Sequence, residues 1–162
     1  MRKALIFCLL TLFLCGCDSG HKSVTPVMES VAFTACGCYG ETEVTCRAVF
    51  DTDGDTLTVI EPKSLAGLCY RRSGNTVTAD YAQLSVERPS CTDSFSDFLF
   101  AVFDSAETAL CTREGKNYAL EKTVGNETVK LLFSPQGYPL SIQNRAGKTV
   151  FTFFDVRVLT KD

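Results

Sequence analysis

Two kinds of hydrophobic pattern divide this chain. Residues Ala4 to Leu14 form an almost unbroken apolar run behind the basic pair Arg2-Lys3. From Val31 onward the apolar positions recur instead at every second residue. Val31, Phe33 and Ala35 alternate with Ala32, Thr34 and Cys36; Val44, Cys46, Ala48 and Phe50 alternate with Glu43, Thr45, Arg47 and Val49. A period of two puts alternate side chains on opposite faces, so each segment predicts a strand with one face buried. Further strands are expected at Thr56–Ile60, Leu68–Arg72 and Thr76–Tyr81. Turn formers separate them at Tyr39–Thr42, Asp51–Asp55 and Ser73-Gly74-Asn75, and Pro62 ends the third. Successive strands joined by short turns predict an antiparallel meander.

One stretch breaks the period of two. Phe95, Phe98, Leu99, Val102, Phe103 and Ala106 fall at helical spacing, with Phe100 widening the stripe and Asp97 and Asp104 expected on the opposite face. Ser94 followed by Asp97 resembles a capping box, which marks the helix start, with Thr92 or Asp93 as alternative caps one turn earlier. Strands resume at Tyr118–Lys122, Val129–Phe133, Leu140–Asn144 and Lys148–Leu159. In the last, apolar Phe153 and Phe154 are adjacent, which predicts burial on both faces or a bulge. The order is a meander of about six strands, one amphipathic helix, then about four more strands. The fold class is therefore mainly β (α+β), with about ten antiparallel strands in one domain over residues 27–162.

The N-terminal run has the three-part plan of a secretory signal: basic start, apolar middle, small residue before a polar tail. It is too short for a permanent membrane helix, which needs about 20 residues. Its end, Leu14-Cys15-Gly16-Cys17, resembles a bacterial lipobox. Cys15 departs from the usual small or β-branched residue but is of similar size. The resemblance implies cleavage between Gly16 and Cys17, diacylation of the Cys17 thiol, and anchoring at the outer face of the bacterial cell membrane. Residues 1–16 are then the signal, and residues 17–26, polar with Gly20 and Pro26, a flexible tether. His21, the chain's one histidine, lies in that tether and reads as solvated.

Charge narrows the partners. The formal charge is −3, and losing Arg2 and Lys3 makes the exported part more acidic by two charges. That excludes nucleic acid, which calls for a basic stripe, and electrostatic capture by anionic lipid headgroups. Membrane attachment must then come from acylated Cys17. Of nine cysteines, Cys8 and Cys15 leave with the signal. Cys36, Cys38, Cys46, Cys69, Cys91 and Cys111 remain as candidates for disulfides or free thiols.

Candidate chemistry is sparse. Asp51–Asp55 lacks the glycine and glutamate positions of a calcium loop and reads as a turn. Cys36-Gly37-Cys38 with Cys46 would suit a soft metal. If the turn lies at Tyr39–Thr42, however, Cys36 faces Thr45, Cys38 faces Glu43 and Cys46 points to the opposite, apolar face. The three do not converge, so no metal site and no cofactor are expected. Asn126-Glu127-Thr128 reads as a turn. The chain has no Cys-x-x-Cys, no phosphate-binding glycine loop, and no second histidine for a nucleophile–base pair, so an enzyme is not expected.

Two stretches resemble the LolA/LolB-like lipoprotein carriers and their relatives in Gram-positive and spore-forming bacteria. One is Pro62, Leu65 and Gly67 with the later Tyr81 and Leu84; the other is Gly137, Pro139 and Ile142. The resemblance implies an unclosed β half-barrel whose concave apolar face is covered by helix. It also implies that this face binds either a hydrophobic ligand, such as an acyl chain or lipid, or an envelope protein partner. Phe95, Phe98, Leu99, Val102, Phe103, Phe151 and Phe153 are the candidate lining. The same Phe residues could instead fill the cavity, leaving a lipid-anchored interaction module.

Overall fold

The computed structural model describes residues 24–90, 94–104 and 111–160. Residues 1–16, expected to be a signal, and Cys17, His21, Cys91 and Ala106 lie outside them. Eleven strands make one antiparallel sheet: β1 (Val31–Tyr39), β2 (Thr42–Phe50), β3 (Asp55–Glu61), β4 (Cys69–Ser73), β5 (Thr76–Tyr81), β6 (Leu84–Pro89), β7 (Thr112–Glu114), β8 (Asn117–Val124), β9 (Glu127–Phe133), β10 (Pro139–Asn144) and β11 (Thr149–Val158). The α-helix among the described residues, α1, spans Phe95–Phe103. The strand order is β6-β5-β4-β3-β2-β1-β11-β10-β9-β8-β7, which is an open half-barrel.

That order follows from two meanders. The first starts at the sheet centre with β1 and steps outward to β6. The second starts at the far edge with β7 and steps inward to β11, which pairs with β1. The chain must therefore pass from one edge to the other between β6 and β7, and α1 lies on that passage. The expectation of an unclosed half-barrel with one helix holds, with eleven strands for about ten. The two strands given no residue range from the sequence are the edges, β6 and β7. Their residues are almost all exposed, so no alternation of buried and solvated positions marks them.

The central strands match their pattern. Val31, Phe33 and Ala35 of β1, and Val44, Cys46, Ala48 and Phe50 of β2, are all buried on the concave face. The Phe153-Phe154 pair is neither buried on both faces nor itself bulged: it stays in register with Ala35 and Thr34, and the bulge follows it at Asp155-Val156. Phe153 is buried and Phe154 is 51 % exposed. The β1–β11 register shifts between Ala32 and Thr34, and Asp155 takes φ 52°.

Two glycines are fixed by close backbone approach. A Cβ on Gly37 would stand 1.9 Å from the Val150 carbonyl oxygen of β11. A Cβ on Gly137 would stand 2.4 Å from the Thr25 carbonyl oxygen, and Val27 N–H donates to Gly137 O at 2.9 Å. The N-terminal segment is thereby docked on the β9–β10 turn, with Met28 buried in the core.

Gly37→Ala is expected to destabilise the protein by about 3 kcal/mol or more, because backbone rather than a flexible side chain occupies the space. Gly40→Ala, at φ 62° with open space around it, should cost about 1–2 kcal/mol. Urea denaturation of the two variants checks this; equal losses would contradict it.

Candidate functional site

The concave face is organised by α1. Ser94 caps it, accepting from Asp97 N–H at 3.2 Å, as the Ser94–Asp97 spacing predicts. Asp97 is not on a solvent face, however: it is 1 % exposed. Arg88 of β6 donates to its carboxylate and forms an ion pair, Ser94 Oγ donates to it as well, and Ser90 Oγ donates at 3.2 Å. The helical stripe puts Asp97 opposite the Phe residues. The open edge of the sheet wraps that side too, and burial is tolerated because the charge is paired and hydrogen-bonded.

At the other end, Lys122 of β8 donates to the carbonyls of Val102, at 3.2 Å, and of Asp104. These are carbonyls that a helix C-terminus leaves without intrahelical partners. The helix is thus tied at its N-terminus to the first meander and at its C-terminus to the second. Arg72 adds a third tie. Its guanidinium lies 5.4 Å from the Phe100 ring centre, donates to Asp55 through Nε at 2.9 Å, and sits 3.4 Å from Asp104.

The candidate lining residues are brought together, and they pack on one another. Phe103 meets Phe50 at 4.5 Å between ring centres, Phe33 at 4.9 Å and Phe153 at 5.6 Å. Phe33 meets Phe153 at 4.5 Å, and Phe98 meets Tyr39 at 5.5 Å. Phe98, Leu99, Val102, Phe103, Phe151 and Phe153 are buried. Phe95 is half-buried, with its ring edge-on to Tyr70 at 5.6 Å. Burial raises the Tyr70 phenol; Arg88 opposes this and Asp97 adds to it. Such ring pairs contribute about 0.5–1.5 kcal/mol each beyond the area they bury.

The helix does not cover the whole concave face. On the β5–β6 hairpin, Tyr81 pairs with Leu84 and Ala79 with Val86. Opposed residues share a face, and these share the face of buried Val77 and of Arg88, which reaches α1. Leu84 is nonetheless 72 % exposed, Val86 59 % and Tyr81 39 %. They form an apolar strip beside the edge of β6 that no other described strand pairs. Leu84 enters the sequence reading only within the carrier-like motif, and Val86 and Arg88 do not enter it. The available signal is Thr76–Tyr81 followed by the two-residue gap Ala82-Gln83, which is a hairpin spacing.

The opposite, convex face holds Cys36, Cys38 and Cys69. Cys36 pairs with Thr45 and Cys38 with Glu43, as the turn position requires, and Cys46 is fully buried on the other side. A cleft of about 410 Å³ runs over this region, lined among others by Cys36, Cys38, Glu43, Thr45, Glu61 and Lys63. Cys36, Cys38, Cys46, Cys69 and Cys111 are all free thiols. Cys69 accepts from Thr58 Oγ1 at 3.7 Å, and burial raises the Cys111 thiol. Among the described residues, no three His, Cys, Asp or Glu side chains converge as a metal cage. No described helix is long and apolar enough to cross a membrane.

The fold and its filled concave face define an open antiparallel half-barrel plugged by one helix. No protein-family model and no curated protein matches the chain. Solved structures do resemble it. An uncharacterized conserved protein from Thermus thermophilus superposes with TM-score 0.52 at 13% identity, covering 88% of this chain and 83% of that one. A PNGF-II structure gives TM-score 0.42 at 10% identity, over 82% of this chain and 28% of that chain. A LolA superfamily protein from Nitrosomonas europaea gives 0.36 at 10% identity, over 82% and 85%. At 13% identity the first likeness shows a shared fold alone.

Burial, with a smaller contribution from Cys36, pushes the Cys46 thiol from 9.0 up to about 12. The folded chain then holds this proton at a pH where the unfolded chain releases it. Cys46's contribution to stability is intact below pH 9 and is lost as pH rises through about 12. Unfolding free energy from urea titrations should fall across that window, and fall less steeply in Cys46→Ala. Equal slopes for the two proteins would contradict this.

Proposed function

We propose that the protein is an exported, lipid-anchored, non-enzymatic interaction module that meets a hydrophobic partner at the outer face of a bacterial cell membrane. The observation that carries this reading is the uncovered strip of Tyr81, Leu84 and Val86, on a concave face otherwise filled by the protein's own side chains. Contiguous exposed apolar surface marks contact sites. An interior packed with Phe33, Phe50, Phe103 and Phe153 favours contact at this strip over an enclosed ligand. The carrier-like order of strands and helix supports a hydrophobic partner, of acyl-chain or envelope-protein type.

Attachment rests on Leu14-Cys15-Gly16-Cys17. The stretch from Cys17 to Val24 reaches at most about 25 Å when extended. Just beyond it, the chain docks beside Gly137 through Val24 and Thr25. Acylated Cys17 would therefore hold the β9–β10 turn within reach of the bilayer.

Binding of a fluorescent long-chain acyl probe to the purified chain should weaken at least tenfold in Leu84→Asp/Val86→Asp. Stability should change by less than about 1 kcal/mol, since both side chains are exposed. Undiminished binding in that variant, with loss on widening the α1 face by Phe98→Ala, would place the ligand inside and contradict the reading. Anchoring is tested separately: Cys17→Ala should abolish labelling with radioactive palmitate, and unchanged labelling would overturn it.

A further inference from the structure

Cys36 and Cys38 are the reactive feature that the proposed contact strip does not use. They project from the convex face of β1, a central strand paired on both sides, by β2 and β11. Cys36 is exposed, Cys38 is half-exposed, and both open into the cleft of about 410 Å³. Thr45 Oγ1 lies 3.5 Å from Cys36 Sγ as a donor. Glu43 stands opposite Cys38 and Glu61 opposite Thr45, so two carboxylates and one ammonium, Lys63, share the cleft with the thiols.

Geometry selects what this pair can do. Two residues apart on a strand, the Cβ atoms stand about 6.6 Å apart and point the same way. A disulfide needs its Cβ atoms at about 3.5–4.5 Å and its sulfurs at about 2.05 Å. Closing it would require pulling β1 out of both ladders. Gly37, between the two cysteines, cannot yield toward β11, because Val150 and Phe151 backbone already occupies its Cβ position. A metal ion bridging two thiolates asks for less: with metal–sulfur bonds of about 2.3 Å, the sulfurs stand up to about 4.6 Å apart. Side chains two apart on a strand can meet that span by rotation about χ1 alone.

The coordination number selects the metal. Cys46 lies on the far side of the sheet, and no third His, Cys, Asp or Glu converges on the pair among the described residues. A structural zinc site wants four protein ligands. Two thiolates suit a soft d10 ion content with two, and thiolate sites favour Cu(I). The net negative charge of the carboxylates in the cleft favours a cation further. We infer that Cys36 and Cys38 form a two-thiolate site for Cu(I) on the convex face. Binding releases the two thiol protons to solvent and involves no change of oxidation state.

The test is titration of the reduced, full-length chain with Cu(I) under anaerobic conditions against a chromophoric Cu(I) chelator. Cys36→Ser/Cys38→Ser should lose one equivalent of chelator-competitive copper, and either single variant should weaken that equivalent at least 100-fold. Cys69→Ser and Cys46→Ala should retain it. X-ray absorption of the one-equivalent complex should show two sulfur neighbours. Unchanged stoichiometry in the double variant would overturn the site, as would three or more sulfur neighbours. Mild oxidation followed by peptide mapping supplies an independent check: a Cys36–Cys38 disulfide in the folded protein would overturn the geometric argument.

Discussion

Everything in this fold depends on α1 lying against the concave face of the sheet. An open sheet buries one face only if something covers it. Here the cover is nine residues long, too short to hold its shape alone. Its stability comes from what it touches. Phe103 packs among Phe33, Phe50 and Phe153, which belong to β1, β2 and β11, the three strands at the sheet centre. Arg88 and Lys122 then fasten its two ends to β6 and β8, one in each meander. The helix therefore joins two halves that otherwise meet along the β1–β11 ladder. Removing Arg88 would leave the Asp97 carboxylate buried without its ion pair, a change that costs about 3–5 kcal/mol in comparable cases.

How much was legible in the sequence follows from the same division between centre and edge. β1 and β2 could be paired in register, because strict alternation marks both and a turn at Tyr39–Thr42 sets Cys36 against Thr45 and Cys38 against Glu43. That register put Cys46 opposite to Cys36 and Cys38, and the structure agrees. β7, Thr-Arg-Glu, has no apolar set to repeat, and in β6 the repeat is only Leu84 and Val86 before Arg88-Pro89, too short to mark a strand by itself. Asp97 was misplaced for a related reason: a helical stripe shows which residues are apolar, not whether a sheet edge curls over the polar side. Arg88 and Lys122 became partners of α1 only through the order of strands, which no local pattern encodes. The docking of Val27 on Gly137 likewise joins residues far apart in sequence.

The two edges differ in a way that bears on function. β7 is three residues long and carries Arg113 and Glu114, and short charged strands discourage pairing with other chains. β6 is twice as long and presents Leu84 and Val86 beside an edge that no other described strand pairs. One edge is short and charged and the other offers apolar surface. The convex face carries a separate chemistry in its thiols, insulated from the strip by the whole thickness of the sheet. The chain thus places its packed face, the exposed apolar strip and the accessible thiols each on its own part of one sheet.

The central claim is that α1 is a plug belonging to the core, rather than a lid over a binding cavity. Native-state hydrogen exchange measures this directly, because a lid opens at lower free energy than the whole fold. The amides of Leu99 to Phe103 should exchange only through global unfolding, with the same free energy as those of β1 and β2. Exchange of these amides at a free energy several kcal/mol below the global value, with β1 and β2 still protected, would contradict the account.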